Sequence, residues 1–227
     1  MEKLTLVIGN KNYSSWSMRP WVLMRELGIE FEEVRLRFNS SEWDADIARL
    51  SPSGLVPVLW RGTLAVWDTL AIAETLAEWF PEKAVWPRDP DARAFARSAS
   101  AEMHSGFREL RQRMPVNVRA SHPGKGLTEA CRADIARIEA LWADARARFG
   151  AGGPFLFGSF SAADAMFAPV AIRFATYAPP ISSATERYCE ALRATRGVRD
   201  WVAGAMTETE FVADDEPYAS APGPANA

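Results

Sequence analysis

Tyr13-Ser14-Ser15-Trp16-Ser17-Met18-Arg19-Pro20 follows directly on the segment Leu4 to Gly9, in which Leu4, Leu6 and Ile8 alternate with Thr5 and Val7. The alternation predicts a strand. Pro20 has no amide N–H and fits a first helical turn, and the serines ahead of it are residues that cap free helix donors. The chain is therefore expected to pass from strand to helix here. It delivers a cluster of hydroxyls to a helix N-terminus, where partial positive charge favours an anion.

Two further segments extend the pattern. In Ser53-Gly54-Leu55-Val56-Pro57-Val58-Leu59 the proline stands where a strand begins, a place open to an edge or first-residue proline and equally to a cis Val56–Pro57 peptide in a tight turn, which would leave the N–H and C=O of Val56 exposed. Trp67-Asp68-Thr69 then closes a strand-like run, Thr63 to Val66, and opens a helix, putting a carboxylate and a hydroxyl at a second N-terminus.

Around these anchors the expected order is βαβαββα. A helix spans Trp16 to Gly28, a strand Phe31 to Phe38, a short helix Ser41 to about Leu50, and a helix Thr69 to Trp79. Pro81, Pro87 and Pro90 crowd a stretch that cannot continue a helix and reads as a linker. Beyond it the period becomes helical: Phe95, Ala99, Met103, Phe107, Leu110 and Met114 imply one long helix, and Ile135, Ile138, Trp142, Ala145 and Phe149 a second. Residues 115–126 break between them. Ser161 and Asp164 form a capping box read as structural, and shorter helices are expected at Ser183 to Ala194 and Val198 to Met206. The domain reading is residues 1–80 α/β, 81–90 linker, 91–212 all-helical and 213–227 a flexible tail rich in Pro, Ala and Gly.

Serines after the first strand, a Val-Pro turn before the third, and an acid-hydroxyl pair after the fourth resemble the thioredoxin-like amino-terminal domain of the glutathione S-transferases. The resemblance implies an α/β plus all-α fold, a thioredoxin-like domain followed by a helical bundle. By position it implies that Ser14 or Ser15 faces the glutathione sulfur, that Val56, ahead of Pro57, pairs with the cysteinyl backbone, and that Asp68 and Thr69 hold the γ-glutamyl end. Ser14 is the first choice for the thiol because it stands five residues before Arg19, the zeta-class spacing. Tyr13 is a third candidate and Ser17 reads as a pure cap. Trp16 stands where that class carries cysteine, and borders the second substrate or packs. Asp68-Thr69 replaces the more common Glu-Ser. Homodimerisation is implied by the resemblance alone, as are a glutathione co-substrate and a small electrophile. Conjugation, isomerisation of the maleylacetoacetate type and peroxide reduction all fit; a non-catalytic ligand- or protein-binding module of the same fold is the rival. A thiol-disulfide oxidoreductase would carry cysteine where the hydroxyls stand.

The 227 residues, 48% of them hydrophobic, suffice for a sizeable core, and a net charge of −3 with interspersed signs gives no global case for nucleic acid. No apolar stretch reaches bilayer length, and Met1-Glu2-Lys3 leads into the first strand without signal-peptide features, so no membrane is expected. Cys131 and Cys189 form no C-x-x-C; no metal is expected, and a cytoplasmic location with reduced thiols is the simplest reading. His104 and His122 read as surface or packing residues. Arg108, Arg111 and Arg113 read as a solvated helix face, with attraction of an anionic substrate as the alternative.

Overall fold

The computed structural model describes residues 2–219. β1 (Leu4–Ile8), α1 (Ser15–Glu26), β2 (Glu32–Arg35), α2 (Ser41–Leu50), β3 (Val58–Arg61), β4 (Leu64–Trp67) and α3 (Thr69–Trp79) follow in the expected order. The sheet runs β2-β1-β3-β4. Thr5 pairs with Glu32 in parallel register, Leu6 with Leu59 antiparallel, and Val58 with Trp67 antiparallel. Strand alternation sorts the core: Leu6, Ile8 and Leu59 meet Met18 and Val22 of α1 and Ile72 and Leu76 of α3, whereas Val7 and Val58 face Trp43, Ile47 and Leu50 of α2. The result is the thioredoxin-like arrangement expected.

Proline 20 does not sit in the first turn. α1 begins at Ser15, so the proline lies inside the helix. A proline there withholds the hydrogen bond that the carbonyl four residues back would accept. That carbonyl is Trp16 O, and Thr69 Oγ1 donates to it at 3.3 Å. The missing donor of α1 is thus replaced by the first residue of α3.

The linker holds a short 3₁₀ turn, Pro81–Lys83, and leads to α4 (Pro90–Ser105), α5 (Arg108–Arg113), α6 (Glu129–Phe149), α7 (Ala162–Tyr177), α8 (Ser183–Ala194) and α9 (Arg196–Ala205). α7 packs against α1, α4 and α8, and all but one of its residues are buried, which places it at the centre of the molecule. Its start carries the expected capping box. The Asp164 carboxylate accepts from Ser161 N–H (2.9 Å), Ser161 Oγ (3.0 Å), Leu156 N–H (3.1 Å) and Tyr188 Oη (2.9 Å).

The single helix expected across Phe95 to Met114 is two helices. α4 stops at Gly106, where a Cβ would stand 2.8 Å from Glu102 O, and Phe107 turns left-handed at φ 54°. The break buries Phe107, and Asp134 of α6 accepts the Leu110 N–H at 2.9 Å. The three-and-four spacing survives because Met103, Phe107, Leu110 and Met114 all enter one core cluster.

The tail expected from residue 213 is described as far as residue 219. Ala213–Asp215 form a 3₁₀ turn, Glu216 accepts from Tyr13 Oη at 2.9 Å, and Tyr218 Oη donates to Arg113 O at 2.7 Å. The remainder of that call, residues 220–227, lies outside the described residues.

Candidate functional site

A groove of about 600 Å³ opens between the two halves of the chain. Trp16 enters it from α1, Ser53 to Pro57 from the turn before β3, Trp67 to Thr69 from the start of α3, His104 from α4 and Arg111 from α5.

The serine cluster is divided in its duties. Ser14 is the N-cap of α1: its Oγ accepts from Ser17 N–H at 3.3 Å and lies 2.8 Å from Ser17 Oγ, to which it donates. Ser17 Oγ also accepts the Gly9 N–H at 3.1 Å and is fully buried. Ser17, read as the cap, is therefore the inner acceptor, and Ser14 takes the capping role. Among the described residues, no intrachain hydrogen bond involves Ser15 Oγ, and it is not among the polar atoms sealed from solvent. Neither serine lines the groove directly; both lie in the turn that presents Trp16.

Tyr13 points elsewhere. Its hydroxyl donates to Glu216 and receives Arg119 Nη2 at 3.1 Å, and burial together with Glu216 raises its pKa. The phenol is held under the C-terminal segment. It does not reach the groove.

The Val56–Pro57 peptide is cis, one of the arrangements open to the sequence. Among the described residues neither the N–H nor the C=O of Val56 has a hydrogen-bond partner. An extended backbone laid in the groove would meet one free donor and one free acceptor.

Asp68 is held at φ 74°, a conformation a non-glycine residue adopts at a cost of about 1–3 kcal/mol. Its Oδ1 caps α3 through Leu70 N–H (2.8 Å), and its Oδ2 lies 2.7 Å from His104 Nε2. The carboxylate thus faces outward at a helix N-terminus, where the positive end of the helix supports negative charge. Thr69 is buried beside it with its hydroxyl on Trp16 O.

A family model described as the glutathione S-transferase N-terminal domain matches residues 13–79, and one described as the C-terminal domain matches residues 100–204. The chain belongs to the glutathione S-transferase family. Among curated glutathione S-transferase relatives, glutathione S-transferase 1 of Dianthus caryophyllus is 29% identical over 116 residues, 51% of this chain and 52% of that one. A probable maleylacetoacetate isomerase of Caenorhabditis elegans is 30% identical over 96 residues, 42% of this chain and 44% of that one. The matched stretch therefore spans about half the length of these relatives or less. A glutathione transferase homolog from Burkholderia GL BGR1, solved with bound glutathione, shares the fold with a TM-score of 0.69 at 24% identity, covering 91% of this chain and 100% of that one.

Within this glutathione S-transferase fold, two residues lining the groove and one buried behind it were not legible as such in the sequence. His104, read as a surface or packing residue, pairs with Asp68 and stands edge-on to Trp16, ring centroids 5.1 Å apart. Arg111, read first as part of a solvated face, is partly buried over the Trp16 ring at 5.4 Å and donates to His104 O at 3.0 Å. The two stand on either side of the break between α4 and α5, so no periodicity along one helix could have paired them. Arg19 served in the sequence only as a spacing mark. It is 1% exposed, stacks on Trp16 at 4.4 Å, and donates to Met166 O and Ser15 O.

Proposed function

We propose that this chain is a glutathione transferase that binds glutathione in the groove and activates its thiol for attack on a small electrophilic or unsaturated substrate. The observation that carries the reading is the unpaired N–H and C=O of Val56 sharing one groove with the outward carboxylate of Asp68 and the first turn of α1. The residues present fit the tripeptide. Val56 would pair with the cysteinyl backbone, beside cis Pro57, and Asp68 with Thr69 would receive the γ-glutamyl ammonium and carboxylate.

Ser15 is the hydroxyl assigned to the sulfur. Ser14 Oγ already caps Ser17 and donates to it, whereas Ser15 Oγ has no partner among the described residues. A free thiol near pKa 8.5 is only a few per cent ionised at neutral pH. Lowering that value by about two units needs roughly 2.7 kcal/mol. One hydrogen bond to a charged group contributes about 1.5–3 kcal/mol, and a helix N-terminus about 0.3–1 kcal/mol. The hydroxyl and the helix start suffice in scale, and the thiol proton leaves to solvent.

Conjugation is the proposed reaction. Glutathione-dependent isomerisation is the second reading, favoured by the likeness to the probable maleylacetoacetate isomerase. A homodimer is proposed on the exposure of Leu64 and Trp67 along the edge strand β4. A cytoplasmic site of action is in keeping with two unpaired, buried cysteines. No helix among the described residues is long and apolar enough to cross a membrane.

Calorimetry with glutathione, followed by ultraviolet titration of the bound thiol, tests the reading. Uptake of the tripeptide with a thiol pKa below that of the free thiol is expected; no uptake overturns it. Binding without turnover of any aryl halide, enone or peroxide favours the non-catalytic module instead.

A further inference from the structure

Three guanidinium groups gather where α1, α5 and α7 meet behind the groove: Arg19, Arg111 and Arg173. Each donates to a backbone carbonyl rather than to an acid, Arg19 Nε to Met166 O (3.0 Å), Arg111 Nη1 to His104 O (3.0 Å) and Arg173 Nε to Met114 O (2.8 Å). Among the described residues none of the three forms an ion pair. Arg19 and Arg173 are 1% and 3% exposed, and one nitrogen of each, Arg19 Nη2 and Arg173 Nη1, is sealed from solvent with no hydrogen-bond partner.

Buried cations without counter-charges are costly, and an unpaired buried donor adds to the cost. Burial weakens the hold of all three on their protons, and repulsion from neighbouring arginines adds to it at Arg19 and Arg173, whereas Asp134 works against it at Arg111: Arg173 falls to about 10, and Arg19 and Arg111 fall as well. Asp68, the acid that lines the groove, already has its second oxygen on His104. Such an arrangement is stabilised by an anion arriving from outside, and only Arg111 of the three lines the groove.

We propose that Arg111 anchors a carboxylate on the second substrate, so that the groove selects planar unsaturated or aryl electrophiles bearing a negative charge. This deepens the glutathione reading and rests on it. Trp16, Trp67 and Leu55 supply the apolar wall for the planar part. Arg111 sits over the Trp16 face, and Arg19 backs the same ring, so charge recognition is placed against the apolar surface. The guanidinium fork matches a carboxylate, and the two buried arginines raise the potential at the spot without touching the ligand.

The test compares calorimetric affinities of S-benzylglutathione and S-(4-carboxybenzyl)glutathione, a pair differing by one carboxylate. The wild-type chain is expected to bind the carboxylate form roughly tenfold more tightly or better, the scale of a charge-assisted hydrogen bond. The ratio should fall towards one in Arg111→Gln and be largely kept in Arg111→Lys. Equal wild-type affinities overturn the inference alone, as does a preference that persists in Arg111→Gln. Failure of both conjugates to bind overturns the glutathione reading and this inference with it. The wild-type comparison needs no variant, so misfolding of Arg111→Gln would leave it standing.

Discussion

His104 Nε2 lies 2.7 Å from Asp68 Oδ2, joining the helical half of the chain to the acid that caps α3. One carboxylate therefore serves a helix cap, a domain contact and a proposed ligand position.

Substituting Asp68 separates these duties. Asp68→Asn keeps an oxygen for the Leu70 N–H and tolerates the positive φ, so its thermal melt is expected to stay near wild type. Glutathione affinity should drop about tenfold or more with loss of the charge. Asp68→Ala should lose both, with about 1 kcal/mol off stability. An unchanged glutathione affinity in Asp68→Asn, measured by calorimetry, would remove Asp68 from the site.

The two serines should part company. Ser14→Ala loses the α1 cap and is expected to be less stable by about 1 kcal/mol. Ser15→Ala should melt close to wild type and raise the pKa of bound thiol by roughly one to two units, the share of one charged hydrogen bond. Ultraviolet titration of both variants decides the assignment, and a shift confined to Ser14→Ala would reverse it.

Asp164 gives a pH dependence with a definite sign. Burial pushes its carboxyl up to about 6 against four donors that pull it down. Between pH 6 and the ordinary carboxylate range the folded chain holds a proton that the unfolded chain does not, so this group favours the fold more as pH falls through that window. A rise of roughly two units corresponds to about 3 kcal/mol. Urea unfolding from pH 7 to 4 should therefore show wild type gaining on Asp164→Asn as pH drops. Parallel curves would show that the donors win.

Glu208 holds the loop ahead of α1 from a distance of nearly two hundred residues. Both its oxygens accept backbone N–H groups, Lys11 at 2.7 Å and Asn12 at 3.0 Å, and Arg35 pairs with it at 2.7 Å. Glu208→Gln would turn an NH₂ towards one of those donors, which costs about 1–3 kcal/mol for the group left unpaired. Hydrogen exchange at Lys11 and Asn12 is expected to speed up. Unaltered protection there would mean that the loop is held by other bonds.

Burial raises Cys131 to about 11 and Cys189 to about 12, so neither thiol should react with an aromatic disulfide in the native chain at pH 7.5. The thiolate absorbance in the titrations above then belongs to the ligand. Stoichiometric labelling before denaturation would contradict this.

The order βαβαββα was legible because alternation, proline placement and capping residues all act locally, and Thr69–Trp79 was delimited to the residue for that reason. The break at Gly106 was hidden because the apolar spacing continues through it, and only the clash with Glu102 O marks it. The turn at Val56 and the capping acid Asp68 announce themselves in single residues. His104, Arg111 and Arg19 do not, since their meaning comes from packing between helices remote in sequence. Ser14 and Ser17 exchanged roles because α1 starts at Ser15, which makes Ser14 the residue with its side chain over the free amides.

Arg19 leaves the α/β half to bond with Met166 O in the second turn of α7, while holding Ser15 O of its own first turn. An excised copy of the first eighty residues would leave that guanidinium without its carbonyl and the serine turn without its brace. The two halves are consequently not interchangeable parts, and a chimera that swaps one helical bundle for another must bring along a carbonyl at this spot if it is to keep the turn in shape.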